Sequence, residues 1–466
     1  MRKHSGGSNL MIWDDALIID KKFIMKSSRR SFLNQATTTA AGLSLLPGSA
    51  FSSIFAPAET INVGVIGANG MGWSDTRSML RNENVRCIAI CDVDQSVLER
   101  RKNDYSSIFP NEVQLYKDYR KLLENKDIDA VVIGTPDHWH CKMMVDALEA
   151  GKHVYVEKPL ANSIEECYIM EKAAEKYKKV VQVGQWQRSG THYQRAIDIV
   201  RSGDLGKIRT VKVWAYQGWM KPIPVKPDGP VPEGVDYDMW LGPAPKRSFN
   251  PNRFHFNFRW YWDYAGGLMT DWGVHEIDIA LFAMEAKAPK SVTATGGKFA
   301  YPDDASETPD TLQAIFEYDN FTMLWEHATG INGGNYGRTE GIAFIGNNGT
   351  LVVNRGGMEL IPEEETKDGI RRYKMPDMPD QSRQGNYLDL HTKNFADAIR
   401  KNDPSLAKCA PVSGSTAAIN AHMGNVAYRT GRKVYWDNAT HTFKNDDGAT
   451  AMIKAAYQNG WKLPKL

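Results

Sequence analysis

The feature that most restricts the fold of this chain is a glycine-rich turn between a short apolar run and the start of a helix. The run Ile61–Ile66 is typical of a buried parallel strand. Gly67 permits a sharp turn after it, and Gly72 lets the following helix pack close to the strand. Free N–H groups at such a helix start can hold a pyrophosphate. The residues predicted to line this turn are Gly67, Asn69, Gly70, Met71 and Gly72.

The turn departs from the usual G-x-G-x-x-G spacing at one position. Asn69 stands where the middle glycine is expected, and asparagine tolerates a left-handed backbone better than most residues. Gly70 follows immediately, so the turn remains feasible. An ordinary strand–turn–helix has the same outline, and the turn alone does not exclude it.

A carboxylate after the next strand favours dinucleotide binding. Asp92 directly follows the strand-like run Val85–Cys91 and comes about 20 residues after Gly72, which is the spacing of the acidic residue that binds the adenosine ribose. A carboxylate at this place would also repel a 2′-phosphate, so it favours NAD over NADP. The alternative is that Asp92 only caps the next helix.

The N-terminal segment has the layout of an export signal and not of a folded domain. Ser28–Leu33 is a twin-arginine pattern, and the mildly apolar Ala36–Leu46 follows it. Ala56–Ala58 offers a small-residue cleavage site. We therefore predict a leader over residues 1–58 and a periplasmic or otherwise exported protein, the alternative being a disordered tail. Residues before Met25 do not fit such a signal. The twin-arginine route carries folded proteins, so we expect NAD to be tightly bound.

Composition limits the remaining classes of protein. A chain of 466 residues with a net charge of +2 suggests two domains and neither nucleic acid nor a membrane surface as partner. No other stretch is long and apolar enough to span a bilayer. The five cysteines are scattered without a C-x-x-C pair, so neither a disulfide framework nor a zinc site is indicated.

Residues 59–183 alternate between strands and helices, which predicts a doubly wound parallel sheet of the Rossmann type. Ligands bind at the carboxyl ends of such strands. Thr135-Pro136 and Glu157-Lys158-Pro159 both follow strand-like runs, so we expect them beside the ligand. Ser163 and Glu166 have the spacing of a capping box at the start of a helix.

The second predicted domain covers residues 184–466 and opens at the border of the cleft. Gln185, Trp186 and Arg188 are placed to bind substrate hydroxyls or a carboxylate, or else form an exposed connection. Residues 290–354 read as strands and hairpins, and residues 362–386 as a long surface loop. Tryptophan rings can bind sugar faces as well as fill cores; those we expect at the site are Trp186, Trp219 and Trp262.

A second chemical cluster lies in a predicted helix that starts at Met269. Asp271 and His275 are four residues apart and would share one helix face. A carboxylate there can orient an imidazole and raise its basicity, as general-base catalysis uses. A structural histidine is the plainer alternative. Zinc binding lacks a third ligand, and no metal site is predicted.

The chain resembles the Gfo/Idh/MocA oxidoreductases, named for glucose–fructose oxidoreductase and inositol dehydrogenase, over about residues 60–440. The resemblance rests on the motifs of both halves: the glycine turn with Asp92, Thr135-Pro136 with His140, Glu157-Lys158-Pro159, Gly266-Gly267, Asp271, Gly273 and His275. It implies a Rossmann domain followed by a C-terminal α/β domain with a large, mostly antiparallel sheet. That sheet commonly forms a homodimer or homotetramer interface. It also implies cofactor contacts from Thr135, Pro136, His140, Glu157 and Lys158.

The resemblance implies hydride transfer between a nicotinamide cofactor and a hydroxyl-bearing carbon of a sugar or polyol. Lys158 would stabilise the developing alkoxide from the cofactor side, with His275 and Asp271 completing the catalytic set. A redox-neutral NAD-dependent glycosidase, acting through a transient 3-keto sugar, is the alternative. Known glycosidases of the family carry a different local sequence near Thr270–His275, which argues against it. Lys158 and His275 argue against a binding protein without turnover.

Overall fold

The computed structural model describes residues 60–376 and 381–466. The predicted leader over residues 1–58, with its twin-arginine pattern and cleavage sites, lies outside the described residues. Within the described part, none of the helices combines the length and the apolar character that crossing a membrane requires.

The first half is built on a six-stranded parallel sheet in the order β3-β2-β1-β4-β5-β6. Its strands are β1 (Ile61–Ile66), β2 (Val85–Cys91), β3 (Gln114–Tyr116), β4 (Ala130–Ile133), β5 (His153–Val156) and β6 (Val181–Val183). Its helices are α1 (Met71–Met79), α2 (Gln95–Ser106), α3 (Tyr119–Glu124), α4 (His140–Glu149) and α5 (Ile164–Tyr177). The strand order reverses between β1 and β4, and ligands bind at the carboxyl edge of such a switch point.

Local sequence accounts for these elements. β4 is buried along its whole length, as its unbroken apolar run requires in a sheet covered on both faces. The capping box is confirmed: the Ser163 hydroxyl accepts a hydrogen bond from the Glu166 backbone N–H at 3.2 Å and donates one to its carboxylate at 2.9 Å. The predicted Rossmann fold is therefore confirmed in this half of the chain.

The second half carries a ten-stranded sheet in the order β16-β13-β12-β11-β7-β10-β9-β8-β17-β18. β10 runs parallel to β7, and the other pairs are antiparallel, which confirms the predicted mostly antiparallel sheet. The strands of this half are β7 (Thr210–Gln217), β8 (Ser291–Gly297), β9 (Thr311–Glu317), β10 (Thr322–Thr329), β11 (Glu340–Ile345), β12 (Gly349–Asn354), β13 (Gly357–Pro362), β14 (Glu364–Lys367), β15 (Ile370–Tyr373), β16 (Gln381–Ser382), β17 (Val434–Asp437) and β18 (Thr442–Phe443). Of these, β14 and β15 pair only with each other, as a separate two-stranded sheet.

Helices of the second half connect the sheet to the Rossmann half. The α-helices are α6 (Thr191–Ser202), α7 (Tyr237–Leu241), α8 (Leu268–Asp271), α9 (Gly273–Met284), α10 (Tyr387–Arg400), α11 (Pro411–Thr430) and α12 (Asp447–Ala451). The 3₁₀ helices are Asp137–Trp139, Trp186–Ser189, His255–Trp260, Asn335–Gly337 and Pro404–Leu406. Among these, α11 packs against both α9 and α5.

Two expectations about secondary structure were wrong. Residues 362–386 include the exposed hairpin β14–β15 and not only a loop, because Asp368 and Gly369 both adopt positive φ at its tip, the geometry of a tight hairpin turn. The helix predicted from Met269 onward is broken at Trp272 into α8 and α9. The cause is a side chain from the other half, described next.

Candidate active site

The glycine turn is held in a conformation that only glycine fits. Gly67 has φ +81°, and a Cβ there would lie 2.8 Å from the backbone of Gly134 and Thr135. A Cβ on Gly72 would lie 2.2 Å from the carbonyl oxygen of Gly67. Gly70 faces open space and precedes the first turn of α1, where helices leave N–H groups without intrahelical partners. The predicted turn therefore exists, and it presents donors at the switch point.

Asp92 stabilises this turn and does not cap the next helix. Its carboxylate accepts hydrogen bonds from the N–H groups of Ala68 at 2.9 Å and Asp94 at 3.1 Å. Asp94 is the cap of α2, because its side chain accepts from the Ser96 N–H at 2.8 Å. Burial raises the pKa of Asp92, against the opposing effect of those N–H groups. Each carboxylate oxygen retains a lone pair for a further hydrogen bond, so Asp92 can still accept one from a ribose. That contact stays a prediction.

The loop after β4 contributes differently from what its motif implies. His140 is buried, and its ring nitrogens lie 2.8 Å from the Pro159 oxygen and 2.9 Å from the Thr135 oxygen. Burial lowers its pKa to about 4. The neutral ring can donate to only one of these oxygens, and its place between the two strand-end loops corrects the prediction of His140 as a cofactor contact. The Thr135 hydroxyl is buried without a partner among the described residues, and Pro136 lies beside it.

Glu157 is buried next to α1, within the field of the neighbouring Lys158. It is 4% exposed, and its carboxyl neighbours the buried carboxyl of Asp75 on α1. Burial raises the pKa of Glu157 to about 7, and burial together with Glu157 raises the pKa of Asp75. A pair of this kind holds a proton near neutral pH. Its depth favours a structural role for Glu157, so direct contact with a cofactor is not supported.

Lys158 crosses from the Rossmann edge to the second half. Its ammonium donates to the Asp271 carboxylate at 2.7 Å and to the Asp271 carbonyl oxygen at 3.0 Å. Because that carbonyl is taken, the His275 N–H bonds to the Trp272 oxygen at 3.1 Å. A side chain inserted into the helical ladder in this way interrupts a helix, which explains the break between α8 and α9.

Asp271 serves two cations and not a histidine. Besides Lys158, the Arg259 guanidinium donates to its carboxylate at 3.1 Å. Burial raises the pKa of Asp271, but Lys158 and Arg259 outweigh it and lower the pKa to about 2. Asp271 is therefore a carboxylate at neutral pH. Arg259 could not be predicted from the sequence, because no local pattern connects it to Asp271.

His275 lies near Lys158, but its electrostatic surroundings differ from the predicted ones. It is 4% exposed, and its Nδ1 is buried without a partner in the described part of the chain. Burial, together with the charges of Lys158 and Arg355, lowers its pKa well below the ordinary value. The expectation that Asp271 orients His275 and raises its basicity is therefore wrong: the imidazole is neutral, and the charged groups that act on it are the cations Lys158 and Arg355.

Aromatic rings hold His275 and Arg355 in place. The rings of Trp186 and Trp272 stand edge-on to His275 at centroid distances of 6.0 and 6.3 Å. The Arg355 guanidinium lies over both indoles, at 4.8 and 4.3 Å. Trp186 also stacks on Tyr387 at 4.8 Å. Trp186 thus lies beside the candidate site as predicted, whereas Arg355, from the β12–β13 turn, was missed.

Two residues predicted to bind substrate are occupied by the protein itself. Arg188 forms a buried, two-pronged ion pair with Asp278, with both N–O distances 2.7 Å. Gln185 is 1% exposed and bonds to the Val274 oxygen and the Cys409 thiol. Both therefore join the domains internally, and neither side chain is free for a substrate. The sequence showed their place at the border but not their partners.

Trp262 and Trp219, the other two tryptophans predicted at the site, lie in different surroundings. Trp262 donates from its indole to the Glu307 carbonyl at 3.1 Å and lies under Arg429, so it is a packing residue. Trp219 is 50% exposed and lines a cleft. The sugar contact predicted for Trp262 is therefore not supported by its surroundings.

A clasp from the second half reaches the glycine turn. His255, the first residue of the 3₁₀ helix His255–Trp260, lies 2.9 Å from the Asp94 carboxylate and 3.1 Å from the Asn69 amide. Asp137, at the start of another 3₁₀ helix, faces Lys158 and Arg259, and burial raises its pKa to about 8 against their charges. Neither residue was found from the sequence.

The described residues suit a nicotinamide dinucleotide and offer no metal centre. The open face of Gly70, the N–H groups of the first turn of α1 and the orphaned hydroxyl of Thr135 provide donors for a pyrophosphate. Asp92 and Asp94 supply acceptors suited to ribose hydroxyls. In residues 60–376 and 381–466, no three side chains of the His, Cys, Asp and Glu types are grouped to bind a metal ion.

The Rossmann half and the residues of the second half that meet it at Lys158 together define the class of this protein as a Rossmann oxidoreductase. The sequence model of the Gfo/Idh/MocA NAD-binding Rossmann fold matches residues 61–185, and that of the family's C-terminal alpha/beta domain matches residues 189–463. The chain belongs to the Gfo/Idh/MocA oxidoreductase family. The resemblance drawn from its motifs is thereby confirmed.

Curated relatives match only in part. The glycosyl hydrolase family 109 protein 1 of Shewanella sp. (strain MR-4) is 32% identical over 201 residues, which is 39% of this chain and 44% of the relative. The alpha-N-acetylgalactosaminidase of Shewanella oneidensis is 32% identical over 205 residues with the same coverage. The match thus spans less than half the length of these relatives.

Solved structures share the fold at low identity. The aldose-aldose oxidoreductase of Caulobacter crescentus, complexed with glycerol, has a TM-score of 0.60 at 19% identity, over 81% of this chain and 100% of its own. A levoglucosan dehydrogenase in complex with NADH and levoglucosan has a TM-score of 0.60 at 18% identity, over 81% and 99%. These similarities support the architecture of both halves.

Proposed function

We propose that this protein transfers a hydride between NAD and a hydroxyl-bearing carbon of a sugar, polyol or glycoside. The observation that carries the proposal is the Lys158 ammonium, held at 2.7 Å by the ionised Asp271 at the carboxyl edge of the Rossmann sheet. Next to it stands the neutral His275. A cationic donor beside a neutral base is what oxidation of an alcohol requires.

Each residue has a separate part in this proposal. Bound NAD supplies the hydride acceptor. Lys158 uses two N–H groups on Asp271, so its third can bind the substrate oxygen and stabilise negative charge on it. Because Nδ1 of His275 is enclosed, we assign Nε2 as the atom that accepts the hydroxyl proton. Asp271, itself held by Arg259, orients the Lys158 ammonium.

The proposal extends to cofactor choice and to placement in the cell. The carboxylates of Asp92 and Asp94 beside the glycine turn favour NAD over NADP by charge repulsion of a 2′-phosphate. The twin-arginine pattern Ser28–Leu33 supports export with NAD already bound, which cell fractionation and cofactor release by heating would test. The ten-stranded sheet supports a homodimer, which light scattering would test.

A redox-neutral glycosidase is the second candidate. The curated relatives include an alpha-N-acetylgalactosaminidase, which favours it. In this alternative Lys158 and His275 would perform the same first step on the substrate hydroxyl. The oxidised carbon would then acidify the neighbouring C–H and permit loss of the glycosidic group as an alcohol. Water would add to the resulting enone, and the hydride would return to the ketone carbon.

One experiment separates the two. The NAD-loaded protein is incubated with sugars, polyols and glycosides while nicotinamide absorbance and product release are followed together. A net rise in NADH supports the oxidoreductase, and glycoside cleavage without net NADH supports the alternative. On whichever substrate is found, His275→Ala should lower kcat by about 10²–10⁴. Wild-type kcat in His275→Ala, with NAD still bound, would contradict the site.

A further inference from the structure

A cleft in the second half lies outside the Lys158–Asp271 pair. It opens to solvent. Its walls combine aromatic rings with a few polar groups. The rings include Trp219, Phe256, Trp260 and Tyr301, and the polar groups include Asn257 and Thr329.

The aromatic walls present unusually accessible rings. Trp219 is 50% exposed and Phe256 is 54% exposed, and the two rings meet edge-to-face at a centroid distance of 6.0 Å. The indole N–H of Trp219 donates to the Gln217 side chain, and the Tyr301 hydroxyl donates to the Met220 oxygen. These bonds fix the polar ends of the rings and leave their faces for a ligand, as amphipathic aromatic side chains do at binding sites.

The polar groups of the cleft favour a neutral ligand with hydroxyl groups. The Asp310 carboxylate is used by the N–H groups of Ala300 and Tyr301, both at 2.9 Å. The Asp304 carboxylate pairs with Lys298 at 2.8 Å. The acids therefore shape the loops and do not create a cation site. The hydroxyl of Thr329 is buried without a partner within the described residues, and it is available to a ligand.

The cleft is joined to the candidate active site by one short segment and one turn of helix. Arg259, which holds Asp271, lies over the Phe256 ring at 4.7 Å. Leu268 lines the cleft, and Asp271 follows three residues later in α8, about 4.5 Å along the helix axis. The contacts from the cleft to Lys158 therefore run through Phe256, Arg259 and Asp271 in turn.

We propose that this cleft binds a second sugar ring, so that the substrate is a glycoside of at least two rings and not a free monosaccharide or polyol. One ring would lie at Lys158 and His275, and the other would lie on the exposed faces of Trp219 and Phe256, with a hydroxyl on Thr329. The inference rests on the proposed function, because it assigns the first ring to the catalytic residues.

The test compares two substrates that differ by one ring. kcat/KM is measured on NAD-loaded protein for methyl glycosides and the matching disaccharides of glucose, galactose and N-acetylgalactosamine. The disaccharide should be preferred at least tenfold in wild type. Trp219→Ala should reduce the ratio of disaccharide to methyl glycoside about tenfold, and Trp219→Phe, which keeps a ring, should reduce it less. Tyr373→Ala, a 61% exposed ring on β15, is the matched control and should not change the ratio.

The outcomes separate this inference from the proposed function. Equal kcat/KM for both substrates in wild type, or an unchanged ratio in Trp219→Ala, overturns the cleft assignment while the catalytic proposal stands. Should no carbohydrate be turned over, the proposed function fails, and titration calorimetry decides the cleft. Disaccharide binding that wild type shows and Trp219→Ala loses supports it, and no binding to wild type overturns it.

Discussion

Two regions meet at the candidate active site: the edge, which is the carboxyl end of the Rossmann sheet with its glycine turn, and the wall, which is the group of side chains that the second half contributes. The two are built in different ways. The edge is defined by backbone: Gly67 and Gly72 approach so closely that no Cβ fits between them. The wall is defined by side chains that arrive from separate segments, with Arg259 from a 3₁₀ helix, Asp271 from α8 and Arg355 from a hairpin turn. The first depends on residues close in sequence, and the second on the tertiary fold.

This difference separates cofactor binding from catalysis in a way that single substitutions can test. A change at the edge should alter which nucleotide is held and how long. A change in the wall should alter turnover while the nucleotide stays bound. The most informative substitutions lie where the two regions touch.

The largest effect is expected for Lys158→Met, because Lys158 belongs to the edge and acts in the wall. The variant loses the donor to the substrate oxygen and leaves Asp271 with Arg259 alone, so kcat should fall by about 10²–10⁴. NAD content after purification should not change. Lys142→Met, which removes another lysine–aspartate pair with a 2.6 Å contact, is the matched control. Loss of NAD together with activity would show that edge and wall are not separable.

A smaller effect is expected for Asp92→Ala, which tests the edge alone. The carboxylate anchors the glycine turn through Ala68, and hydrogen bonds to charged groups contribute about 1.5–3 kcal/mol, so NAD affinity should fall roughly 10–100-fold. NADP should lose less, because the repelling charge is gone. Asp92→Asn keeps an acceptor and is the control for charge. Titration of cofactor-free protein gives the affinities, and equal losses for both nucleotides would contradict the charge argument.

A smaller effect again is expected from loss of the His255 contacts to Asn69 of the glycine turn and to Asp94. His255→Ala removes contacts to the Asn69 amide and the Asp94 carboxylate, and a net contribution of about 0.5–1.5 kcal/mol is typical of an intramolecular hydrogen bond. NAD should therefore dissociate up to about tenfold faster. Stopped-flow fluorescence of NADH release would measure this. A variant with unchanged release but reduced thermal stability would show that His255 only packs the two halves together.

The last prediction concerns stability and not turnover or cofactor binding: the pH dependence of unfolding through Asp137, a buried residue of the Rossmann half that faces Lys158 and Arg259. Its pKa rises from 3.8 to about 8 on folding, so between these values the folded state binds more protons. The proton on Asp137 therefore favours the folded state at low pH, and the free energy of unfolding of wild type falls as pH rises through this range. In Asp137→Asn the free energy of unfolding, relative to wild type, should increase from pH 5 to pH 8 by at most about 1.4 kcal/mol per pH unit. Urea unfolding at four pH values measures the difference, and a constant difference would contradict the buried proton.

The comparison also explains what could be predicted from the sequence. Gly67, Gly72 and the Ser163 cap carry their geometry in the local pattern, so the turn and α5 were correctly predicted. Asp271 was assigned to His275 because they are four residues apart. The partner that the structure shows is Lys158, at a separation of 113 residues. No periodicity reports such a pair, and only the packing of the two halves brings it together.

The same limit applies to residues that were missed or misassigned. Arg188 was correctly placed at the domain border, but its partner Asp278 lies on α9, 90 residues away. Arg355 follows an ordinary strand pattern and gains its meaning only between two indole rings. Sequence patterns therefore locate the region of this site better than they locate its charges.

The 3₁₀ helix His255–Trp260 has a consequence for the order of events in the protein. Within six residues it contacts the glycine turn, the Asp271 carboxylate and the aromatic cleft. Any ligand that stabilises this helix from one side prepares it for the ligand on the other, and such coupling is reciprocal. If a sugar raises the affinity for NAD by some factor, NAD must raise the affinity for the sugar by the same factor. A resident nucleotide would then be a standing activator of its own substrate site.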